Sequence, residues 1–191
     1  RLLIVSIAMR YLITILVLVP ILAIAEPPGF GLLRSEVIST AQSQVTETEW
    51  QYLDASGQAF GLHRYQSAGA VTIATLLYLP GTNMNGVLKT TDSDHNLWLY
   101  MAERGIEVYA MDYRTRYIPH DFSGDLALMR DWSMDLFVED AVMAVTKVQE
   151  EQPLVPMYIA GFSRGAALAY GLAGQVEAAG LVALDGSFKK Q

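Results

Sequence analysis

The sequence predicts an α/β fold: a mostly parallel sheet with helices on both faces, preceded by an antiparallel hairpin. Three observations predict it. Apolar runs of strand length alternate with segments of helical periodicity from residue 71 to residue 184, the order that builds β-α-β units. The runs 71–79 and 106–111 are nearly continuous in β-branched, aromatic and aliphatic residues, as strands buried on both faces require. The segment 154–160 is apolar, Gly161-Phe162-Ser163-Arg164-Gly165 follows it directly, and Ala166-Ala167-Leu168-Ala169-Tyr170 comes next, rich in small helix formers. That is a strand, a sharp turn and a helix, with glycines where a Cβ would collide with the neighbouring element.

The elements follow in order. Residues 26–47 read as an irregular lead-in, with Pro27-Pro28-Gly29 as a breaker cluster. Residues 49–53 and 59–65 read as two strands joined by a Gly-containing loop at 54–58. After the strand 71–79 comes a loop to Asp94, which is expected to cap a helix running to Arg104 with Leu97, Tyr100 and Met101 facing inward and Gly105 ending it. The strand 106–111 leads into a long loop over 112–130. A helix over 133–151 has Phe137, Ala141, Val145 and Val148 at helical spacing. The strand 154–160 before Gly161, a helix to about Ala178 and a strand over 180–184 complete the pattern.

Composition limits the chemistry. With 191 residues, 52% of them hydrophobic, the chain is long enough for one domain with a substantial core. It has no cysteine, which excludes disulfides, cysteine–zinc sites and a thiol nucleophile. A net charge of −7 without a Lys/Arg cluster argues against a nucleic-acid partner. No metal-ligand spacing and no phosphate loop occurs, so neither a metal nor another cofactor is expected.

The first 25 residues read as a leader rather than as part of the domain. Met9-Arg10 precedes an apolar run that ends Ala23-Ile24-Ala25, the pattern of a secretory signal peptide cleaved before Glu26. Met9 is the expected natural start, and the product is expected to be exported, periplasmic or secreted. The alternative is a retained membrane anchor over residues 1–25, against which stand the short apolar run and the burial of Arg10 in any longer span. The opening Arg1 and the closing Phe188-Lys189-Lys190-Gln191 directly after a strand suggest a fragment.

With these residues in view, the stretch from about 48 to 187 resembles the α/β-hydrolase superfamily, in particular its serine esterases and lipases. Four features carry the resemblance: the opening hairpin; Leu77-Tyr78-Leu79-Pro80-Gly81-Thr82-Asn83 where the family places its oxyanion loop; Val108-Tyr109-Ala110-Met111-Asp112-Tyr113-Arg114, similar to the family's next strand and its D-x-R turn; and the elbow at 161–165. Residues 48–191 would then be the N-terminal two-thirds of such a domain. Many members carry a histidine before the loop glycine, where this chain has Pro80.

The resemblance implies roles. Ser163 is the expected nucleophile, attacking a carbonyl carbon to form an acyl-enzyme. The backbone N–H of Arg164 is one oxyanion donor and that of Thr82 the second, with Asn83 as the alternative. Family order places Ser, then Asp or Glu, then His along the chain, and His63, His95 and His120 all precede Ser163. The catalytic histidine is therefore expected beyond Gln191, and the fragment alone is expected to be inactive. Asp185, directly after the last strand, is a candidate acid, with an Asp-Gly turn as the plain alternative.

Other singled-out residues have modest expectations. His120 lines the entrance, His95 sits in the first turn of its helix, and His63 is a strand residue without chemistry. Asp112 holds its turn with Arg114 as partner, the Arg164 side chain anchors the elbow, and Trp98 and Trp132 pack. The expected substrate is a small-molecule or lipid-like ester. Amide or peptide hydrolysis and acyl transfer are the alternatives within the fold, and a non-catalytic binding domain is the alternative outside enzymology.

Overall fold

The structure is a computed structural model that describes residues 28–186. The expected leader over 1–25, with Met9, and the closing residues 188–191 lie outside the described residues. Strands β1 (Gly29–Ser39), β2 (Gln44–Leu53) and β3 (Ala59–Ser67) form an antiparallel meander. Strands β4 (Ala74–Leu79), β5 (Ile106–Asp112), β6 (Met157–Phe162) and β7 (Gly180–Leu184) run parallel to one another. One seven-stranded sheet results, in the order β1-β2-β3-β5-β4-β6-β7, with β3 joined antiparallel to β5.

The helices are α1 (Leu97–Ala102), α2 (Met134–Glu151) and α3 (Arg164–Ala173). Strand pleating sends alternate side chains to opposite faces. Leu77 and Leu79 of β4, Tyr109 and Met111 of β5, and Ile159 of β6 meet Phe137, Ala141 and Val145 of α2 and Leu168 and Leu172 of α3. Leu76, Tyr78, Val108 and Ala110 point the other way and meet Trp98, Leu99 and Ala102 of α1. Full burial of one such large apolar side chain contributes about 2 kcal/mol. Both faces of β4 and β5 are thus covered, while Tyr158 of β6 and Val182 and Leu184 of β7 stay exposed; the C-terminal ends of the parallel strands are free to carry loops. Among the described residues, no helix is long and apolar enough to cross a membrane.

The hairpin loop is built as its residues predict. Asp54 Oδ1 accepts the N–H groups of Ser56 and Gln58 at 2.8 and 2.9 Å, and Gly57 takes φ 76°. Ser133 caps α2 by accepting the N–H of Leu136, and Phe137, Ala141, Val145 and Val148 form its buried face.

Four expectations need correction. The lead-in is not irregular: residues 29–39 form β1, an edge strand whose alternation is blurred by exposed Leu32, Leu33 and Val37. This widens the antiparallel part, so three of the six strand pairings are antiparallel. Strand β4 starts at Ala74 rather than Val71, because Val71 and Ile73 are exposed. Helix α1 is capped by Asn96, not Asp94: Asn96 Oδ1 accepts the N–H groups of Trp98 and Leu99 while its amide donates to the carbonyls of Leu88 and Thr90. That later start turns Trp98, Leu99 and Ala102 inward and leaves Leu97 and Tyr100 exposed. Gly105 does follow the helix in a left-handed conformation, at φ 78°. Helix α3 stops at Ala173, earlier than expected, with Gly174 as its C-cap.

Candidate active site at the end of β6

Between β6 and α3 the chain turns within one residue. Ser163 has φ 54° and ψ −116°, a conformation that costs a non-glycine residue about 1–3 kcal/mol and persists only where its surroundings hold it. They do so here. The Ser163 N–H donates to Leu184 O at 2.9 Å, and Ser163 O accepts the N–H of Ala166 at 3.0 Å. A Cβ on Gly161 would run into the backbone of Gly165 and come within 2.6 Å of Ala166 N. A Cβ on Gly165 would overlap Leu79 O and lie 2.6 Å from Pro80 O. Both glycines are thus required by close backbone approach. Ser163 is half-buried, and its Oγ has no hydrogen-bond partner among the described residues.

The loop after β4 lies against this corner. The missing Cβ of Gly81 faces the Phe162 ring, at 2.8 Å from Cδ1. Met84 N donates to Gly81 O at 3.2 Å, closing a turn in which Asn83 takes φ 60°, as the third residue of a type II turn requires. The N–H groups of Thr82, Asn83 and Arg164 have no hydrogen-bond partner among the described residues. Arg164 opens α3, so its N–H is one of the helix's unpaired first donors and points with the positive end of the helix dipole. The loop is fixed from three sides. Tyr113 Oη donates to Pro80 O at 2.8 Å, Trp98 Nε1 donates to Gly86 O at 2.9 Å, and Gly86 N donates to Asp112 Oδ1 at 2.7 Å. These bonds order the loop where the chain has Pro80 in place of a histidine. Burial pushes the Tyr113 phenol above its ordinary range, which keeps it a donor.

An open cleft of about 680 Å³ adjoins Asn83, Met84 and Asn85 on one side and residues 115–120 on the other. His120 lines it, as expected at an entrance. The Arg164 guanidinium turns back over the rings of Phe137 and Tyr113, 4.5 and 5.8 Å from their centroids, and so packs against the elbow's support. Asp185 follows β7 at φ 50°, is exposed, and makes no hydrogen bond or ion pair among the described residues. Trp98 and Trp132 each pack and donate a hydrogen bond, Trp132 to Gln58 Oε1 at 2.6 Å.

Two expectations about charged groups are corrected. Arg114 does not pair with Asp112. Its Nε and Nη2 donate to the Asp140 carboxylate at 2.7 Å each, and its Nη1 reaches Asp54 and Gln58. Asp112 pairs instead with Arg116 Nε at 2.6 Å and with His63 Nε2 at 3.0 Å. His95 precedes α1 and pairs with Asp92 at 2.7 Å rather than sitting in the first helical turn. His63 is fully buried, with a carboxylate on each ring nitrogen; its partners lie 16 and 49 residues away in sequence, and local pattern gives no signal for them. Among the described residues, no group of His, Asp and Glu is arranged to hold a metal ion.

Comparison with known proteins agrees with this geometry. A sequence profile described as serine aminopeptidase, S33, matches residues 84–189. Solved structures similar to the chain include a candidate lipase from Sulfolobus solfataricus, with a TM-score of 0.68 and 24% identity over 83% of this chain and 51% of that one. A cold-adapted esterase from an Arctic intertidal metagenomic library has a TM-score of 0.54 and 16% identity, covering 74% of this chain and 59% of that one. Acetyl xylan esterase 1 from Thermoanaerobacterium sp. has a TM-score of 0.53 and 17% identity, covering 76% and 48%. At these identities the likeness is one of fold, and the chain spans about half the length of the structures it matches. No curated protein matches the chain significantly.

Proposed function

The chain belongs to the α/β-hydrolase family described as serine aminopeptidase, S33, and from that premise we propose that it is the nucleophile-bearing part of a serine hydrolase that cleaves carboxylic esters. The observation that carries the reading is the strained corner at Ser163. Its hydroxyl has no partner among the described residues, and the loop with the free N–H groups of Thr82 and Asn83 packs on Phe162 and Gly165 beside it.

In the proposed reaction Ser163 Oγ attacks the ester carbonyl carbon and gives up its proton to a base. The carbonyl oxygen becomes an oxyanion, which accepts from the N–H of Arg164 and from that of Thr82, with Asn83 as the alternative second donor; such donors contribute several kcal/mol in the transition state. Collapse expels the alcohol, which takes the proton back, and water then releases the acid by the same steps in reverse. None of His63, His95 and His120 hydrogen-bonds Ser163, and no histidine follows Ser163 in the chain. We assign the base to a histidine in a part of the protein beyond this chain, a reading supported by its spanning about half of its structural relatives. Asp185 stands at the chain position of a triad acid. The leader over residues 1–25 gives an exported protein, and N-terminal sequencing that starts at Glu26 is the result expected of it.

The ester reading is supported by the esterases among the similar structures. The description of the matching family favours amide-bond cleavage at a peptide N-terminus as the second reading. The test is hydrolysis of p-nitrophenyl esters and of aminoacyl p-nitroanilides by the full-length protein. Ester hydrolysis that falls by about 10³-fold or more in Ser163→Ala supports the proposal. A preference for the anilide moves it to the second reading. Activity that survives Ser163→Ala, or a full-length protein inert toward both substrates, overturns it in favour of another site or a binding domain.

A further inference from the structure

Asp112 ties the loop that carries Asn83, Met84 and Asn85 to Arg116 across the cleft. Its Oδ1 accepts the N–H of Gly86, which closes the loop carrying Thr82 and Asn83. Its Oδ2 forms an ion pair with Arg116 Nε, 2.6 Å away on the opposite wall. Asp112 is fully buried, and a carboxylate in that position needs a compensating charge. Behind it stands His63. The imidazole is fully buried on β3 between two strands, with Nδ1 3.0 Å from Glu47 Oε1 and Nε2 3.0 Å from Asp112 Oδ2. A neutral imidazole has one N–H, so one of the two carboxylates would face a lone pair; only the imidazolium donates to both.

The surroundings are balanced for that charge. From β2, Glu47 and Glu49 face the ring, the latter 4.0 Å from Nε2; from β5 comes Asp112. Against these three carboxylates stand Arg116, His63 itself, and Arg34 of β1, which pairs with Glu47 and Glu49 and also with the exposed Glu36. Tyr65 Oη donates to Glu47 Oε1, and the Tyr117 phenol lies near Asp112. Loss of the His63 proton would leave one uncompensated negative charge in this buried group. Burial opposes the charged ring, but the hydrogen bonds it donates to Asp112 and Glu47 outweigh that and raise the imidazole to about 9.

We infer that His63 is a positioning residue: its imidazolium fixes the Asp112 carboxylate, which in turn clamps the loop over residues 81–86 and Arg116, so that the loop bearing the Thr82 and Asn83 N–H groups keeps its working shape only in the protonated form. The inference rests on the serine-hydrolase reading for its effect on rate, but the clamp itself does not depend on catalysis.

The experiment is a pH profile of the full-length protein and of His63→Gln with p-nitrophenyl acetate, together with NMR of the wild type labelled at histidine and glycine. In the wild type kcat falls with a midpoint at about 9. In His63→Gln kcat is lower by about tenfold near neutral pH and the alkaline limb is gone. Circular dichroism at each pH confines the comparison to the folded range of both proteins; there a role in stability alone leaves kcat flat through about 9 in the wild type, so a flat wild-type kcat, or a His63→Gln profile of wild-type shape, overturns the inference. Should the variant fail to fold, the wild-type NMR decides. The His63 ring and the Gly86 amide proton titrate together at about 9 if the clamp exists; a Gly86 signal indifferent to the His63 titration overturns it. Activity surviving in Ser163→Ala would instead sink the serine reading, whatever the two resonances do.

Discussion

Replacing Gly165 by alanine should separate this architecture from an ordinary strand–turn–helix. In an unconstrained helix the change stabilises by about 1 kcal/mol. Here the added carbon meets backbone on both counts: it overlaps Leu79 O and lies 2.6 Å from Pro80 O, where ordinary contact begins at 3.4 Å. Neither oxygen belongs to a side chain that can rotate away, so α3 must retreat from the end of β4 by about 1 Å. Strain of this kind costs about 1–3 kcal/mol or more, which leaves a net loss of about 0–2 kcal/mol or more after the helix gain. The same retreat separates Ser163 and Arg164 from the loop over residues 81–86, and a misplacement of about 1 Å costs on the order of 100-fold in rate. Urea unfolding and kcat/KM on the full-length protein measure both effects. Gly174→Ala is the control, because Gly174 has φ −79° and its nearest neighbour to a new Cβ is Gly171 O at 3.6 Å; its stability should move by less than about 0.5 kcal/mol. If Gly165→Ala were as stable and as active as the wild type, the close approach of α3 to β4 would be wrong.

Stability should also depend on pH through His63. Its folded value, about 9, lies above its ordinary 6.5. The contribution is therefore fully present below about pH 6.5 and is lost as pH rises through 9; a shift of this size corresponds to about 3 kcal/mol. Urea midpoints between neutral pH and about pH 10 should fall in the wild type and stay flatter in His63→Gln, and parallel curves would contradict this. Arg114→Ala should cost about 3–5 kcal/mol, because it leaves Asp140, which burial already pushes up, without its forked partner. Arg114→Lys should recover only part of the loss, since an ammonium cannot form the paired bonds. A melting temperature unchanged in Arg114→Ala would refute that account.

The elbow was legible in the sequence because the requirement is local. Two glycines flank one serine between an apolar strand and a helix, and the backbone contacts of Gly161 and Gly165 show why both are needed. The helix α2 was legible for the same reason, through Ser133 and the spacing of Phe137, Ala141, Val145 and Val148. Helix α1 was misphased because Asp94 and Asn96 are both plausible caps in sequence, and what selects Asn96 is its hold on Leu88 O and Thr90 O, a tertiary fact. Strand β1 was hidden by its exposure, since an edge strand need not alternate cleanly. The His63–Asp112 link and the Arg114–Asp140 fork join residues 49 and 26 positions apart, and a D-x-R spelling alone pairs the wrong partners.

The central claim is that Ser163 is the nucleophile, and covalent trapping tests it most directly. Full-length protein treated with a fluorophosphonate and mapped by peptide mass spectrometry should carry one adduct, on Ser163, with loss of hydrolysis in step with labelling. An active protein that stays unlabelled at Ser163, or is inactivated through another residue, would contradict the account.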